Sequence, residues 1–285
     1  MTREQTTDSK VEPEHKNPMS LAVVSLDKVF PHELIDSRRV ENLINKLNES
    51  TVFTNPPIVV RSNNHYVVLD GATRVSSFKK LGFPHIIVQV LKSSDNHSLN
   101  TWSHVVRKID SEKLLTLFKK LTEITIVKSD LTSLQRGLVE DGCLCSIQTA
   151  DKTIRHIQME PGLNYLDALN TMSTVYTEAG HVTRTLQRDV DILLKEFPDF
   201  SCLAIFPSYT LKEVLKIVDG GKLLPAGITR FIIPGRVMHL NADFEYLKSD
   251  RNLEEKNRWL HDLVMKRLAN DQVRYYAEPV YLMDE

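Results

Sequence analysis

The sequence predicts an α/β (α+β) chain made of a compact N-terminal α/β unit and a larger, mixed αβ unit behind it. Three observations lead there. Short runs of β-branched residues alternate with stretches whose apolar positions recur every three or four residues. Clusters of Gly, Pro and Asn punctuate those runs. The 285 residues, 41% of them hydrophobic, are also enough for more than one ordinary core. Residues 1–19 are polar and are expected to form a disordered extension, residues 20–95 the first unit and residues 96–285 the second.

The elements of the first unit follow in order. Leu21 to Ser25 reads as a strand, and Asp36 or Ser37 caps a helix whose apolar positions are Val40, Leu43, Ile44 and Leu47. Asn55-Pro56-Pro57 then breaks the chain. Ile58 to Arg61 and Tyr66 to Leu69 form a hairpin through Ser62-Asn63-Asn64, whose asparagines tolerate the left-handed conformations of a tight turn. A helix from Ala72 to Leu81 stops at Gly82, and Ile86 to Val90 is a further strand.

After a polar connection, Ser93 to Asn100, helices are predicted around Leu114–Leu121, Leu166–Val175 and Leu211–Val218, the last ending at Gly220-Gly221. Strands are predicted over Cys143–Thr149, Thr153–Gln158 and Cys202–Phe206. Ile228–Ile233 and Arg236–Leu240 should bracket a turn at Pro234-Gly235. An amphipathic helix over Leu253–Ala269 precedes a closing strand over Val273–Met283.

Composition narrows the function classes. With 36 basic against 37 acidic residues there is no global field to draw the protein to nucleic acid or to an anionic membrane. No apolar run has the roughly 18 to 20 residues of a spanning helix, and the polar start lacks a signal-peptide core, so a cytoplasmic protein is expected. Cys143, Cys145 and Cys202 form no disulfide or metal framework. Alternation along a strand would put Cys143 and Cys145 on one face as packing residues, with redox sensing or haem ligation the minor alternative.

The chemistry concentrates at Asp70-Gly71-Ala72-Thr73-Arg74, where the strand Val67-Val68-Leu69 ends and a helix opens. Such a turn is an anion site. Free N–H groups of the first helical turn point outward, Gly71 permits close backbone approach, and Thr73 and Arg74 add a hydroxyl and a guanidinium. Asp70 supplies a carboxylate that can grip a divalent cation or orient a hydroxyl.

The order of strand, His32-Glu33 turn, helix, hairpin, Asp-Gly-x-x-Arg turn, helix and strand resembles the ParB/sulfiredoxin-like fold over about residues 20–92. Ala72 stands where sulfiredoxins need cysteine, and Gly71-Ala72-Thr73-Arg74 departs from the Gly-Glu-Arg-Arg of partitioning proteins. Glu33, by contrast, stands where the free L-serine kinases of this superfamily carry a glutamate. Further segments, Thr101-Trp102-Ser103-His104 and Leu224 to Phe231, also look like those kinases, and in particular their siderophore-associated branch. Tyr276 to Glu285 matches as well. Where the family commonly has histidine in the turn, this chain has Thr73, which donates a hydrogen bond but carries no charge.

The resemblance implies a cytoplasmic kinase that makes O-phospho-L-serine from L-serine with ATP or ADP and Mg²⁺, feeding siderophore, diaminopropionate or cysteine synthesis. It implies Glu33 and Asp70 as catalytic carboxylates, with Asp70 also on the metal. Asp70, Gly71, Ala72, Thr73 and Arg74 would hold the nucleotide phosphates, and Trp102, His104, Thr229 and Arg230 the amino acid. Arg236 follows the turn at the far end of the Arg230 strand. The competing expectation is a ParB-like DNA-binding regulator using His32, Arg38, Arg39, Lys79 and Lys80 as a basic surface.

Overall fold

A computed structural model describes residues 19–92, 95, 97–140 and 142–276. All but the last residue of the expected N-terminal extension, and the expected closing strand from residue 277 onward, lie outside the described residues. The first unit runs β1 (Leu21–Ser25), β2 (Val29–Pro31), α1 (Ser37–Asn48), β3 (Val52–Phe53), β4 (Ile58–Ser62), β5 (His65–Asp70), α2 (Ala72–Lys80) and β6 (His85–Leu91). It is followed by β7 (Ser98–Thr101), β8 (Ser103–Arg107), α3 (Ser111–Phe118), β9 (Ile124–Ser129), α4 (Leu134–Leu138), β10 (Cys143–Thr149) and β11 (Ile154–Met159). Then come α5 (Tyr165–Ala179), β12 (His181–Thr185), α6 (Val190–Glu196), β13 (Phe200–Ile205), α7 (Leu211–Asp219), β14 (Thr229–Ile232), β15 (Ala242–Asp243), α8 (Phe244–Lys248) and α9 (Leu253–Ala269).

The first sheet has the order β1-β6-β4-β5-β2, with β4 and β6 parallel and β2 and β5 parallel. Alternation along its strands feeds two cores. Val59 and Val68 face Val75 and Phe78 of α2, together with Phe244, Leu260 and Val264 from the end of the chain. Ile58, Val60, Val67 and Leu69 face the other way, into a core shared with the second sheet and with α3 and α5. Both faces of the first sheet are thus covered in part by residues far along the sequence. The hairpin forms as its pattern requires, with Asn63 at φ 48°.

The second sheet is six-stranded and antiparallel, in the order β12-β8-β13-β10-β11-β9. Leu144, Cys145 and Ile147 pack toward the first unit, whereas Cys143 joins Leu203, Ile205 and Leu193 on the opposite side. The same-face expectation for Cys143 and Cys145 therefore fails. A register shift between them, where β10 meets β11, breaks the two-residue period on which it rested. All three thiols are buried. Burial pushes Cys143 up to about 11 and Cys202 up to about 12, so they behave as packing groups.

Two local expectations are corrected. The polar stretch before residue 100 ends in β7, whose partner is β14, because alternate residues of Ser98–Thr101 face solvent. Arg236 to Leu240 forms no strand. His239 and Asn241 take φ of 52° and 42°, and the Gln89 side chain instead holds the segment, donating to Gly235 O at 2.8 Å and accepting from Val237 N at 3.0 Å. Val273 to Tyr276 has no regular structure. Among the described residues, no helix is long and apolar enough to cross a membrane.

Candidate active site

The parallel pairing of β2 with β5 brings the chain to the two candidate carboxylates, Glu33 and Asp70. Pro31 lies opposite Val68, where this pairing ends; Glu33 follows two residues after β2 and bridges to Leu224, while Asp70 is the last residue of β5. Ligand sites of α/β sheets favour the C-terminal ends of strands. The loop after β2 is pinned from the other side by Leu224, whose N–H donates to His32 O at 2.9 Å and whose carbonyl accepts from Leu34 N at 2.7 Å.

Glu33 is held by three donors. Its Oε2 accepts from Gly227 N at 2.7 Å, and its Oε1 accepts from both Thr229 N and Thr229 Oγ1 at 2.6 Å. A carboxylate offers about four acceptor positions, which leaves one for a further proton donor. Behind Thr229, His32 Nε2 lies 2.6 Å from the same hydroxyl, and His32 Nδ1 lies 2.5 Å from Val68 O.

At the turn, Gly71 is the N-cap of α2 with φ 93°, a conformation that suits glycine, and no side chain caps the helix. The first helical N–H groups, from Ala72 onward, are left for a ligand until Val75 N bonds Gly71 O. Arg74 folds back over Gly71, donating to Asp70 Oδ2 at 2.9 Å and to Asn55 O at 2.6 Å. Burial draws Arg74 below its ordinary value and Asp70 opposes that shift, so this is a desolvated cation beside one carboxylate. Arg236 donates to the same Asp70 oxygen at 3.0 Å.

A cleft of about 430 Å³ opens here, lined by Asp70, Trp102, Thr229, Arg230 and Arg236 together with Arg184. Five positions that the sequence singled out separately thus share one wall. Arg230 lies over the Trp102 ring, 5.0 Å from its centroid. His104 is placed behind this wall. It is buried, with Nε2 2.9 Å from Gly227 O and Nδ1 2.8 Å from the Tyr176 hydroxyl, and burial pushes it down into the neutral form.

Arg184, on β12 opposite His104, carried no sequence signal. It packs over Gly227, where a Cβ would sit 2.5 Å from its Nε and where φ is 77°. Burial and the nearby Arg39 draw it down, Glu33 opposes this, and no acid among the described residues pairs with it. Gly227, in the loop before Thr229 that the sequence marks for its likeness to the kinases, brings its own N–H to Glu33 two residues ahead of Thr229 N.

Of the basic surface expected for DNA, only His32 is withdrawn, while Arg38, Arg39, Lys79 and Lys80 are exposed. His32 is buried, Lys79 donates to Val29 O, Lys80 pairs with Glu41 and Arg38 with Asp36. The physical reason is the β2–β5 pairing, which turns His32 inward under Thr229.

The chain is 28% identical over 273 residues to the ATP-dependent L-serine kinase SbnI of Staphylococcus aureus, covering 93% of this chain and 97% of the relative. It is a relative of the ATP-dependent L-serine kinases. A second such kinase, from Staphylothermus marinus, is 33% identical over 85 residues, which cover 28% of this chain and 33% of that kinase. No protein-family model matches. The fold is that of solved serine kinases. C-terminally truncated SbnI superposes with a TM-score of 0.69 at 22% identity, covering 87% of this chain and 97% of the other. A free serine kinase in complex with AMP gives 0.70 at 17% identity, covering 82% and 98%.

Proposed function

We propose that this chain transfers the terminal phosphoryl group of ATP to the hydroxyl of free L-serine, giving O-phospho-L-serine and ADP. The observation that carries the reading is Glu33, fixed by three donors with one acceptor position left, its partner Thr229 lining the same cleft as Asp70. The nucleotide role falls to the unit of residues 20–95, and the amino-acid role to segments of residues 96–285.

In the step itself, Glu33 accepts the serine hydroxyl proton as the serine oxygen bonds to the phosphorus and the bond from phosphorus to the bridging oxygen of ADP breaks. Arg74, the Thr73 hydroxyl and the first N–H groups of α2, at Ala72 and beyond, take the negative charge that collects on the phosphates. Gly71 lets those phosphates approach the backbone. One oxygen of Asp70 is taken by Arg74 and Arg236, and among the described residues the other accepts no hydrogen bond. That suits Mg²⁺, which is held largely by phosphate oxygens and water with one or two carboxylates, and which would neutralise phosphate charge there.

For the amino acid, Arg230 and Arg184 present guanidinium groups to its carboxylate, and Trp102 walls the pocket. Thr229 acts through Glu33, since its N–H and hydroxyl already point there, and His104 acts by supporting the Gly227 carbonyl. The product carries a good leaving group on the carbon next to the α-carbon, which suits a later enzyme that replaces it with nitrogen or sulfur. The test is incubation with labelled ATP, Mg²⁺ and serine. Labelled phosphoserine is expected, and none from Glu33→Gln; absence of product from the folded parent with ATP or ADP would end the proposal.

A further inference from the structure

His32 and His104 flank the Gly227–Thr229 strand segment, and their hydrogen bonds demand different numbers of protons. His104 is satisfied as a neutral ring: Nε2–H donates to Gly227 O, and Nδ1 accepts from the Tyr176 hydroxyl. At His32, Val68 O accepts only, so Nδ1 must carry a proton. The other nitrogen faces Thr229 Oγ1 at 2.6 Å, and that hydroxyl has a single proton and also lies 2.6 Å from Glu33 Oε1.

Two arrangements close this chain of atoms. In one, Nε2–H donates to Thr229 Oγ1 and the Thr229 proton goes to a Glu33 carboxylate. In the other, a protonated Glu33 donates to Thr229, which donates to a neutral His32. The total number of protons is the same. Only the first leaves Glu33 able to take a proton from a substrate, and the backbone donors at 2.6 and 2.7 Å have the short distances of bonds to a charged acceptor.

We infer that His32 is a positioning residue held as an imidazolium, which orients the Thr229 hydroxyl onto Glu33 and so keeps the carboxylate charged and fixed. The surroundings are consistent with a compensated charge. From its own loop, His32 faces Glu33, whose Oε1 is 3.8 Å from Nε2. β5 offers the Val68 carbonyl, with Asp70 two residues on, and β14 offers Thr229 and the Phe231 ring, whose centroid is 5.5 Å from that of His32. The cations nearby are Arg184 of β12, which acts on Glu33, and Arg39 of α1, which acts on Arg184. His104 of β8 adds no charge.

Without the Nε2 proton, one hydroxyl proton would serve two acceptors, and one of the 2.6 Å contacts would set two unshared pairs against each other. Glu33 would then lose a donor or its fixed orientation, and activity would fall with it.

The direct test is nitrogen NMR of the full chain with labelled histidine. Of the ten histidines, one ring, assigned by its disappearance in His32→Gln, is expected to have both nitrogens protonated under the conditions of the kinase assay. Thr229→Ser should keep that signature and Thr229→Val should lose it, which also supplies the assignment should His32→Gln not fold. Only the kinetic arm rests on the proposed serine kinase activity: Thr229→Val should lower kcat about 10- to 100-fold with little change in KM for serine. A His32 ring with one bare nitrogen at a pH where the enzyme turns over would overturn the inference. A doubly protonated ring in a protein without kinase activity would keep it and remove the function instead.

Discussion

Glu33 illustrates how much one side chain can depend on residues it never meets in the sequence. Its donors come from positions 227 and 229, so replacing its charge should affect chemistry far more than folding. Glu33→Gln is expected to lower kcat by about 10² to 10⁴, with circular dichroism unchanged, as loss of a positioned base does. Gly227 has the opposite sensitivity. With φ at 77° and Arg184 seated where a Cβ would lie, Gly227→Ala should cost about 1–3 kcal/mol and raise KM for serine by displacing the guanidinium. Denaturant melts and steady-state kinetics on the one variant separate the two effects. The buried thiols, their titration pushed upward by desolvation, should resist a thiol reagent at pH 8 until the protein unfolds.

At the scale of elements, caps and clamps fix the boundaries. α9 begins at a capping box between Asn252 and Glu255, and one turn later Asn257 grips the edge strand β1, accepting from Val23 N and donating to Val23 O at 2.9 Å each. Asn257→Ala should therefore cost about 1–3 kcal/mol in a denaturant melt, through unpaired backbone groups at a sheet edge. The turn between β10 and β11 depends on Asp151, which hydrogen bonds from the Thr149 and Thr153 side chains and the Thr153 N–H hold at about 2. A lowered carboxylate stabilises the folded chain fully above its unfolded value and loses that stabilisation as pH falls through the folded one. Melting temperature should accordingly gain a small dependence between about pH 4 and pH 2 that Asp151→Asn removes, under about 1 kcal/mol because the group is exposed to solvent.

At the scale of the whole molecule, the first sheet is a shared layer. One face meets the second sheet's core and the other meets Phe244, Leu260 and Val264 from α8 and α9. A fragment of residues 19–95 would expose both faces, and is expected to show no dispersed amide spectrum when expressed alone. The site inherits this dependence. Asp70 and Arg74 come from the first unit, Trp102, Arg184, Thr229 and Arg230 from the second, and Arg236 from the segment leading back to the first. Substrate and nucleotide would therefore meet only in the complete chain.

The helices α1, α2, α5, α7 and α9 and the hairpin of β4 and β5 were legible because each is written in a local period, a cap residue or a turn pair. The strand-to-helix turn at Gly71 was legible for the same reason. His32 was read as surface and Arg184 was not read at all, because their roles are set by which strand lies beside which, and a strand's pairing partner leaves no mark in its own residues. Amino-acid order alone thus determined where the chain bends, coils and leaves helix-terminal backbone donors. Tertiary packing decided which backbone and hydroxyl donors would hold Glu33, since contacts across nearly two hundred residues form only when separate cores close on one another.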